Sequence, residues 1–148
     1  MIDLKETKRV KDELMANPEN FQEIINGTHL AICITGEDAK FVAVNDSYVK
    51  LYGYDRTELV GKLFTVVLPE ENKEILLDYH ARFFEDKYEI IRKWVVKNKS
   101  GQLMEIFADA GYNDKVKNQS NKITLIQFLK NISELPVAKG YAHTTIKG

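Results

Sequence analysis

The side chains that could do chemistry are few and lie far apart in the sequence. The three histidines, His29, His80 and His143, form no His-x-x-x-His pair, and the lone Cys33 cannot belong to a Cys-x-x-Cys site. The sequence also contains no glycine-rich phosphate loop and no serine elbow. We therefore predict no metal site, no catalytic residue and no enzymatic activity in this chain.

Two of the reactive residues have neighbours that indicate their environment. Cys33 lies inside the apolar run 30–34, which favours a small buried side chain over a nucleophile. Asp109 alternates with Phe107 and Glu105 along a predicted strand. We expect Asp109 on the outward face of that strand and not as a buried general base.

Length and composition indicate a single domain in a reducing compartment. The chain has 148 residues, 44% of them hydrophobic, with 21 basic and 22 acidic side chains. This balance of charge argues against a direct nucleic-acid binder, and one cysteine cannot close an intramolecular disulfide. The charged N-terminus does not resemble a signal peptide, and no apolar run is long enough to span a membrane. We expect a cytoplasmic protein that contacts neither nucleic acid nor membrane.

The spacing of apolar residues predicts an α+β domain. Strands fall at the two ends of the chain with helices between them, which favours a five-stranded antiparallel sheet over a parallel, doubly wound one. The predicted helices are 3–17, 18–25, a short helix after Asn45, 56–59 and 70–85. The predicted strands are 30–35, 40–44, 88–97, 103–112 and 122–130.

Four residues at the joints between these elements are predicted to be structural. Asn45 follows the second strand and precedes a helix, where its carboxamide can satisfy free backbone donors. Gly53 and Gly61 each end a helical turn, and Gly101 lies in the turn between two strands.

The order of the elements and their joints together resembles the PAS family, the small sensory fold of signalling proteins. The resemblance covers residues 19–134 and leaves an N-terminal helix, 1–18, and a C-terminal tail or truncated linker, 135–148. It implies a five-stranded antiparallel sheet with several short helices and one longer helix on one face. The residues that carry it are Phe21, Ile25, Gly36, Asn45, Tyr52–Tyr54, Glu58–Lys62, Ser100–Gly101 and Asn131–Glu134.

In PAS proteins the sheet and helices enclose a core that some members open for a ligand. Apolar side chains line a filled core and a cavity alike, so the sequence leaves both possible. If the core is open, we expect the ligand to contact Cys33, Val42, Val44, Tyr48, Leu51, Phe64, Leu76, Tyr79, His80, Trp94, Ile106, Ala108, Leu125 and Gln127.

The resemblance also suggests particular cofactors. The flavin-binding light-oxygen-voltage subclass and photoactive yellow protein use a reactive cysteine near the start of the long helix, and segment 68–72 has none. Haem-binding members supply a histidine from this helix, but their position aligns with Leu76, one turn before His80. We expect no cofactor. Haem, or a non-covalent flavin near Trp94 and Gln127, are the alternatives.

A second predicted surface lies on the outer face of the sheet. If Leu125 and Gln127 face inward, Ile126 and Phe128 face outward and form part of an apolar patch. Such a patch marks an interaction surface or is covered by a terminal helix. PAS domains pair through this face and an N-terminal helix, so the resemblance implies a homodimer. The predicted dimer face consists of Leu4, Val10, Leu14, Leu103, Phe107, Ile126 and Phe128.

The resemblance implies a sensory, signal-transducing module that binds a small ligand or a protein partner. It would be the input part of a two-component system, such as a histidine kinase, or of a transcription-regulating system, with a downstream signalling protein or output domain as partner. An alternative is a cone-shaped α+β enzyme similar to ketosteroid isomerase. That enzyme would use Asp109 or His80 as base and Tyr48 or Tyr79 as electrophile.

Overall fold

The structure, a computed structural model, describes residues 3–135, so the predicted C-terminal tail lies outside the described residues except for Leu135. Short 3-10 turns and loops connect the regular elements. The helices are α1 (Leu4–Ala16), α2 (Phe21–Asn26), α3 (Asp46–Tyr52), α4 (Arg56–Leu59) and α5 (Lys73–Asp86). The strands are β1 (Ala31–Gly36), β2 (Phe41–Val44), β3 (Arg92–Lys97), β4 (Leu103–Asn113) and β5 (Asn121–Ile132).

The five strands form one antiparallel sheet in the order β2-β1-β5-β4-β3. The last strand therefore lies between the first strand and β4. Helices α3 to α5 make the crossing from β2 to β3, the two edge strands of the sheet. This confirms the predicted α+β architecture with one longer helix, α5, and an N-terminal helix, α1.

Side chains alternate between an outer and an inner apolar layer, because successive residues of a strand point to opposite faces of the sheet. On the outer face, α1 and α2 cover the strands. On the inner face, the strands pack against α3 to α5. The outer layer contains Val10, Leu14, Ile24, Ile25, Ile32, Ile34, Ile123 and Leu125, and the inner layer contains Cys33, Tyr48, Leu76, Trp94, Ile106, Ala108 and Ile126, among others.

The predicted orientation of β5 is wrong. Leu125 packs in the outer layer, and Gln127 accepts a hydrogen bond through Oε1 from the backbone N–H of Asp3 at 3.1 Å, on the α1 side. Ile126 lies in the inner layer, and Phe128 follows it on the same face, where its side chain is exposed. The strand is apolar on both faces because helices cover both, so the pattern of apolar residues did not distinguish the two faces.

The predicted dimer face is changed by the position of α1. Val10 and Leu14 are fully buried against the outer face of their own sheet, and Ile126 is buried on the other side of it. Leu4 remains exposed, and Leu103 and Phe107 are half-buried. The structure therefore corrects the assignment of Val10, Leu14 and Ile126 to an exposed surface.

Asn45 ties three elements together at the start of α3. Its Oδ1 accepts hydrogen bonds from the backbone N–H groups of Ile32 and Tyr48, both at 2.9 Å. Its Nδ2 donates to the carbonyls of Ile25 at 2.6 Å and Leu30 at 2.8 Å. All four hydrogen-bonding positions of the carboxamide are used, and the side chain is fully buried. The predicted capping position of Asn45 is thus present in the structure.

The three predicted glycine joints adopt the left-handed backbone conformation. Gly53 ends α3 with φ of 77°, and Gly61 and Gly101 have φ of 87° and 91°. At Gly53 the backbone N–H returns to the carbonyl of Val49 at 2.8 Å, which closes the helix. A side chain at Gly53 would strain this turn, because L-residues rarely adopt this conformation.

Strand β3 begins at Arg92, four residues later than predicted. Residues 88–91 form an irregular connector after α5. Lys87, the residue that caps the C-terminus of α5, has the left-handed conformation with φ of 56°. Tyr88, Ile90 and Ile91 are exposed, whereas Glu89 points back toward the sheet. Tyr88, Ile90 and Ile91 are residue types that favour strands, which is why the sequence predicts a strand here. In the structure this connector adds no strand to the sheet.

Candidate functional site

A cavity of about 80 Å³ lies between the inner face of the sheet and helices α3 and α5. Nine of the predicted pocket residues surround it. They are Cys33, Tyr48, Phe64, Leu76, Tyr79, His80, Trp94, Ile106 and Ala108. Nine further residues complete the wall, namely Thr35, Tyr52, Val67, Leu68, Glu89, Val96, Lys122, Thr124 and Ile126.

Five residues expected in the pocket do not line this cavity. Leu125 and Gln127 belong to the outer face because β5 presents the opposite set of side chains. Val42 also packs against the outer layer, and Val44 is buried within the inner layer away from the cavity. Leu51 lines a separate surface groove beside Phe128.

The wall of the cavity is divided into an apolar part and a polar end. Strands β1 and β5 bring Thr35 and Lys122 into direct cross-strand register, followed by Cys33 and Thr124. These four inner-face side chains place hydroxyl, ammonium and thiol groups beside otherwise aliphatic and aromatic walls. The cavity is therefore suited to a small molecule with one polar end.

His80 of α5 covers the polar end. Its side chain is 3% exposed, and Nε2 lies 3.0 Å from the Thr35 hydroxyl oxygen. The imidazole stacks on Phe64 and contacts Phe84, with ring centroids 5.0 and 5.1 Å away. Burial, together with the nearby charge of Lys122, lowers the pKa of His80 to about 4. His80 is therefore neutral at physiological pH.

An ion pair closes the same end of the cavity. Lys122 Nζ lies 2.9 Å from Glu89 Oε1, and their side chains are only 11% and 13% exposed. The ammonium also lies 5.0 Å from the centre of the Phe83 ring. The sequence pattern indicated neither residue of the pair. It predicts a strand through Glu89, whereas β3 begins only at Arg92. A lysine among apolar residues at the start of β5 was the available signal.

A buried group of weak acids also lines the cavity. Burial raises the pKa of the Cys33 thiol to about 11, and it also raises the pKa values of Tyr48 and Tyr52. The two tyrosine rings lie 4.4 Å apart. Cys33 is thus a protonated, buried side chain with none of the features of a nucleophile.

Comparison with protein families matches residues 19–102 to the family described as the PAS fold. The chain belongs to the PAS family. The match confirms the PAS family predicted from the order of the elements and the residues between them. PAS domains are sensory domains and are typically non-catalytic. No curated protein sequence matches the chain.

Solved PAS domains share the fold at low sequence identity. A PAS domain from a two-component sensor histidine kinase is 15% identical, covers 75% of this chain and 95% of its own, and has a TM-score of 0.62. A second PAS domain, from a LuxR-family transcriptional regulator of Burkholderia thailandensis, was solved with ethanol. It is 12% identical, covers 74% of this chain and 96% of its own, and has a TM-score of 0.59. A third, the PAS domain of the Cronobacter turicensis quorum-sensing receptor RpfR, was solved with C12:0. It is 12% identical, covers 72% of this chain and 99% of its own, and has a TM-score of 0.61.

Asp109 of this PAS domain does not reach the cavity. It lies on the outer face, where its Oδ2 pairs with Nζ of Lys11 from α1 at 2.8 Å. The aliphatic part of the Lys11 side chain passes over Gly111 to reach Asp109. A Cβ atom added at Gly111 would lie 3.0 Å from Cδ of Lys11. The sheet separates Asp109 from His80, so Asp109, one of the two bases considered for the isomerase alternative, cannot act in the cavity.

The cavity does not fit the cofactors considered from the sequence. Pockets that hold drug-sized ligands have volumes of about 300–1,000 Å³. The cavity here has only about 80 Å³, and a haem or a flavin ring system is at least as large as a drug-sized ligand. His80 Nε2 already faces Thr35, and Trp94 and Gln127 lie on opposite faces of the sheet. Within residues 3–135, no cluster of three or more histidine, cysteine or acidic side chains could hold a metal ion.

No helix among the described residues is both long and apolar enough to cross a membrane.

Proposed function

We propose that this PAS domain is the sensory input of a signalling system and that it binds a small molecule in its inner cavity. The observation that carries the proposal is the partly enclosed cavity with apolar walls and one polar end, between the sheet and the helices on its inner face. Support also comes from PAS domains of similar fold that were solved with ethanol and with C12:0.

The proposal gives each part of the chain a role. Residues 19–134 form the sensor body, the N-terminal helix within 1–18 covers its outer face, and 135–148 is a C-terminal tail or truncated linker. Binding at the inner face shifts the population of sheet and helix arrangements that a partner contacts. Catalysis, where the pathway requires it, belongs to a downstream signalling protein or output domain of a two-component or transcription-regulating system.

Homodimerisation is part of the same proposal. Helix α1 leaves the apolar side chains of Leu4 and Met15 exposed, and Leu103 and Phe107 are only half-buried on the outer face of β4. A second copy that packs along α1 would bury these apolar groups. The signal would then pass between the two copies through α1.

The experiment is mass spectrometry of a denatured extract, preceded by an absorption spectrum of the purified chain. We expect a colourless protein that releases a small organic molecule in stoichiometric amount. The Ala108→Val variant narrows the cavity and should reduce the amount released, whereas Ala43→Val in the outer layer should not. A visible haem or flavin band, or an equal loss in both variants, would contradict the proposal.

A further inference from the structure

The buried ammonium group of Lys122 requires a negative partner. Burial of an unpaired charge is costly, and the side chain of Lys122 is only 11% exposed. Among the described residues, Glu89 supplies the one carboxylate within 4 Å of this ammonium. His80, which also lies at this end, is neutral and adds no second positive charge.

Glu89 reaches Lys122 from a connector and not from a rigid element. Residues 88–91 form neither helix nor strand, and Glu89 is the one residue among them that is not exposed. The carboxylate therefore fastens the connector to the wall of the cavity. An anion that replaces the Glu89 carboxylate on Lys122 would release the connector, because the single ammonium balances the charge of only one buried carboxylate.

The shape of the site limits such an anion to a small one. Apolar side chains of Leu76, Trp94 and Ile106 line the space next to the ion pair. A cavity of about 150 Å³ holds one benzene molecule, and this one has 80 Å³. Such a space suits an alkyl tail of about three or four carbon atoms, by the same comparison. The Thr124 side chain, which hydrogen-bonds with the Cys33 thiol, lies on the same wall.

We infer that the cavity takes a short-chain monocarboxylic acid, whose carboxylate replaces that of Glu89 on Lys122 while its alkyl tail fills the apolar part. This inference rests on the proposed function, since it names the chemical class of the molecule sensed. The release of residues 88–91 next to β3 is the structural change that the acid produces. An uncharged molecule of the same size leaves the ion pair in place.

The test is isothermal titration calorimetry of the full chain with butyrate and with butyramide, its uncharged isostere. We expect butyrate to bind at least about tenfold more tightly than butyramide, because only the acid pairs with Lys122. Glu89→Gln removes the competing carboxylate and should increase butyrate affinity about tenfold while butyramide affinity changes little. Lys122→Met should abolish the preference for the acid.

Lys122→Arg serves as the matched control, because it keeps the positive charge and should keep the preference for butyrate over butyramide. It also provides a readout if Lys122→Met fails to fold. Equal binding of the two probes, or a preference that persists in folded Lys122→Met, overturns the inference but leaves the proposed function standing. Failure of both probes to bind the wild-type chain also overturns it, whereas the proposed function is judged separately by the extracted molecule.

Discussion

His80 lies between Thr35 and the two phenylalanine rings, where only its neutral form is tolerated. The pKa of this imidazole is about 4 in the folded chain, compared with 6.5 for an unperturbed histidine. The unfolded chain therefore takes up a proton between these two pH values while the folded chain does not. Stability that is present above pH 6.5 is progressively lost as the pH falls toward 4.

We expect the free energy of unfolding to decrease by about 2 kcal/mol between pH 7.5 and pH 5 through this histidine alone, from the pKa difference. Urea denaturation at the two pH values measures the change. His80→Gln should remove this part of the pH dependence, and His29→Gln, at an exposed position, should retain it. An unchanged pH dependence in His80→Gln would show that the imidazole does not titrate as described.

Asn45 is the second residue with a large predicted effect. Asn45→Ala leaves two buried backbone N–H groups and two carbonyls without their side-chain partner, so we expect a loss of about 3 kcal/mol or more in the free energy of unfolding. Asn26→Ala removes one exposed bond to the backbone of Asp46 and should cost under about 1 kcal/mol. Similar losses in the two variants, measured by chemical denaturation, would refute this role.

The sequence predicted the capping role of Asn45 and the turn-closing roles of the glycines because each role has a local cause. A carboxamide after a strand caps the next helix, and a glycine closes a turn, whatever lies elsewhere in the fold. Lys122 and Glu89 could not be predicted in this way. They are 33 residues apart and meet only because β5 and the connector after α5 approach the same cavity.

Among the secondary-structure elements, α1 has the largest effect on the outer face of the sheet, because it covers the apolar side chains there. It buries Val10 and Leu14 in the outer layer, so both faces of the central strands are covered by apolar side chains. The sequence predicted that a terminal helix was available for this face. It could not fix the orientation of β5, because a shift of one residue exchanges two sets of side chains that are both apolar.

This packing predicts that α1 contributes substantially to stability. Leu14→Ala creates a cavity at a fully buried position, so we expect a loss of about 3 kcal/mol in the free energy of unfolding. Lys5→Ala, at an exposed side chain on the same helix, should change it by less than about 0.5 kcal/mol. Equal, small effects of the two substitutions in urea denaturation would mean that α1 does not pack on the sheet in solution.

For the whole molecule, the assembly proposal makes a separate prediction. Light scattering at high micromolar concentration should give the mass of two chains, and Leu4→Glu should reduce it to one, because a charge replaces an apolar contact. Leu63→Glu introduces the same charge at a leucine that is 45% exposed elsewhere and should leave the dimer intact. A wild-type mass of one chain would rule out the dimer.

Ligand sensing by this PAS domain requires an accessible cavity at the inner face of the sheet. Xenon enters apolar cavities of this kind, so methyl NMR spectra of the wild-type chain under xenon pressure locate the space directly. We expect chemical shift changes at the methyl groups of Leu76, Ala108 and Ile126, which line the cavity, and none at Leu14 and Leu125 in the outer layer. Changes confined to the outer layer, or no changes at all, would contradict it.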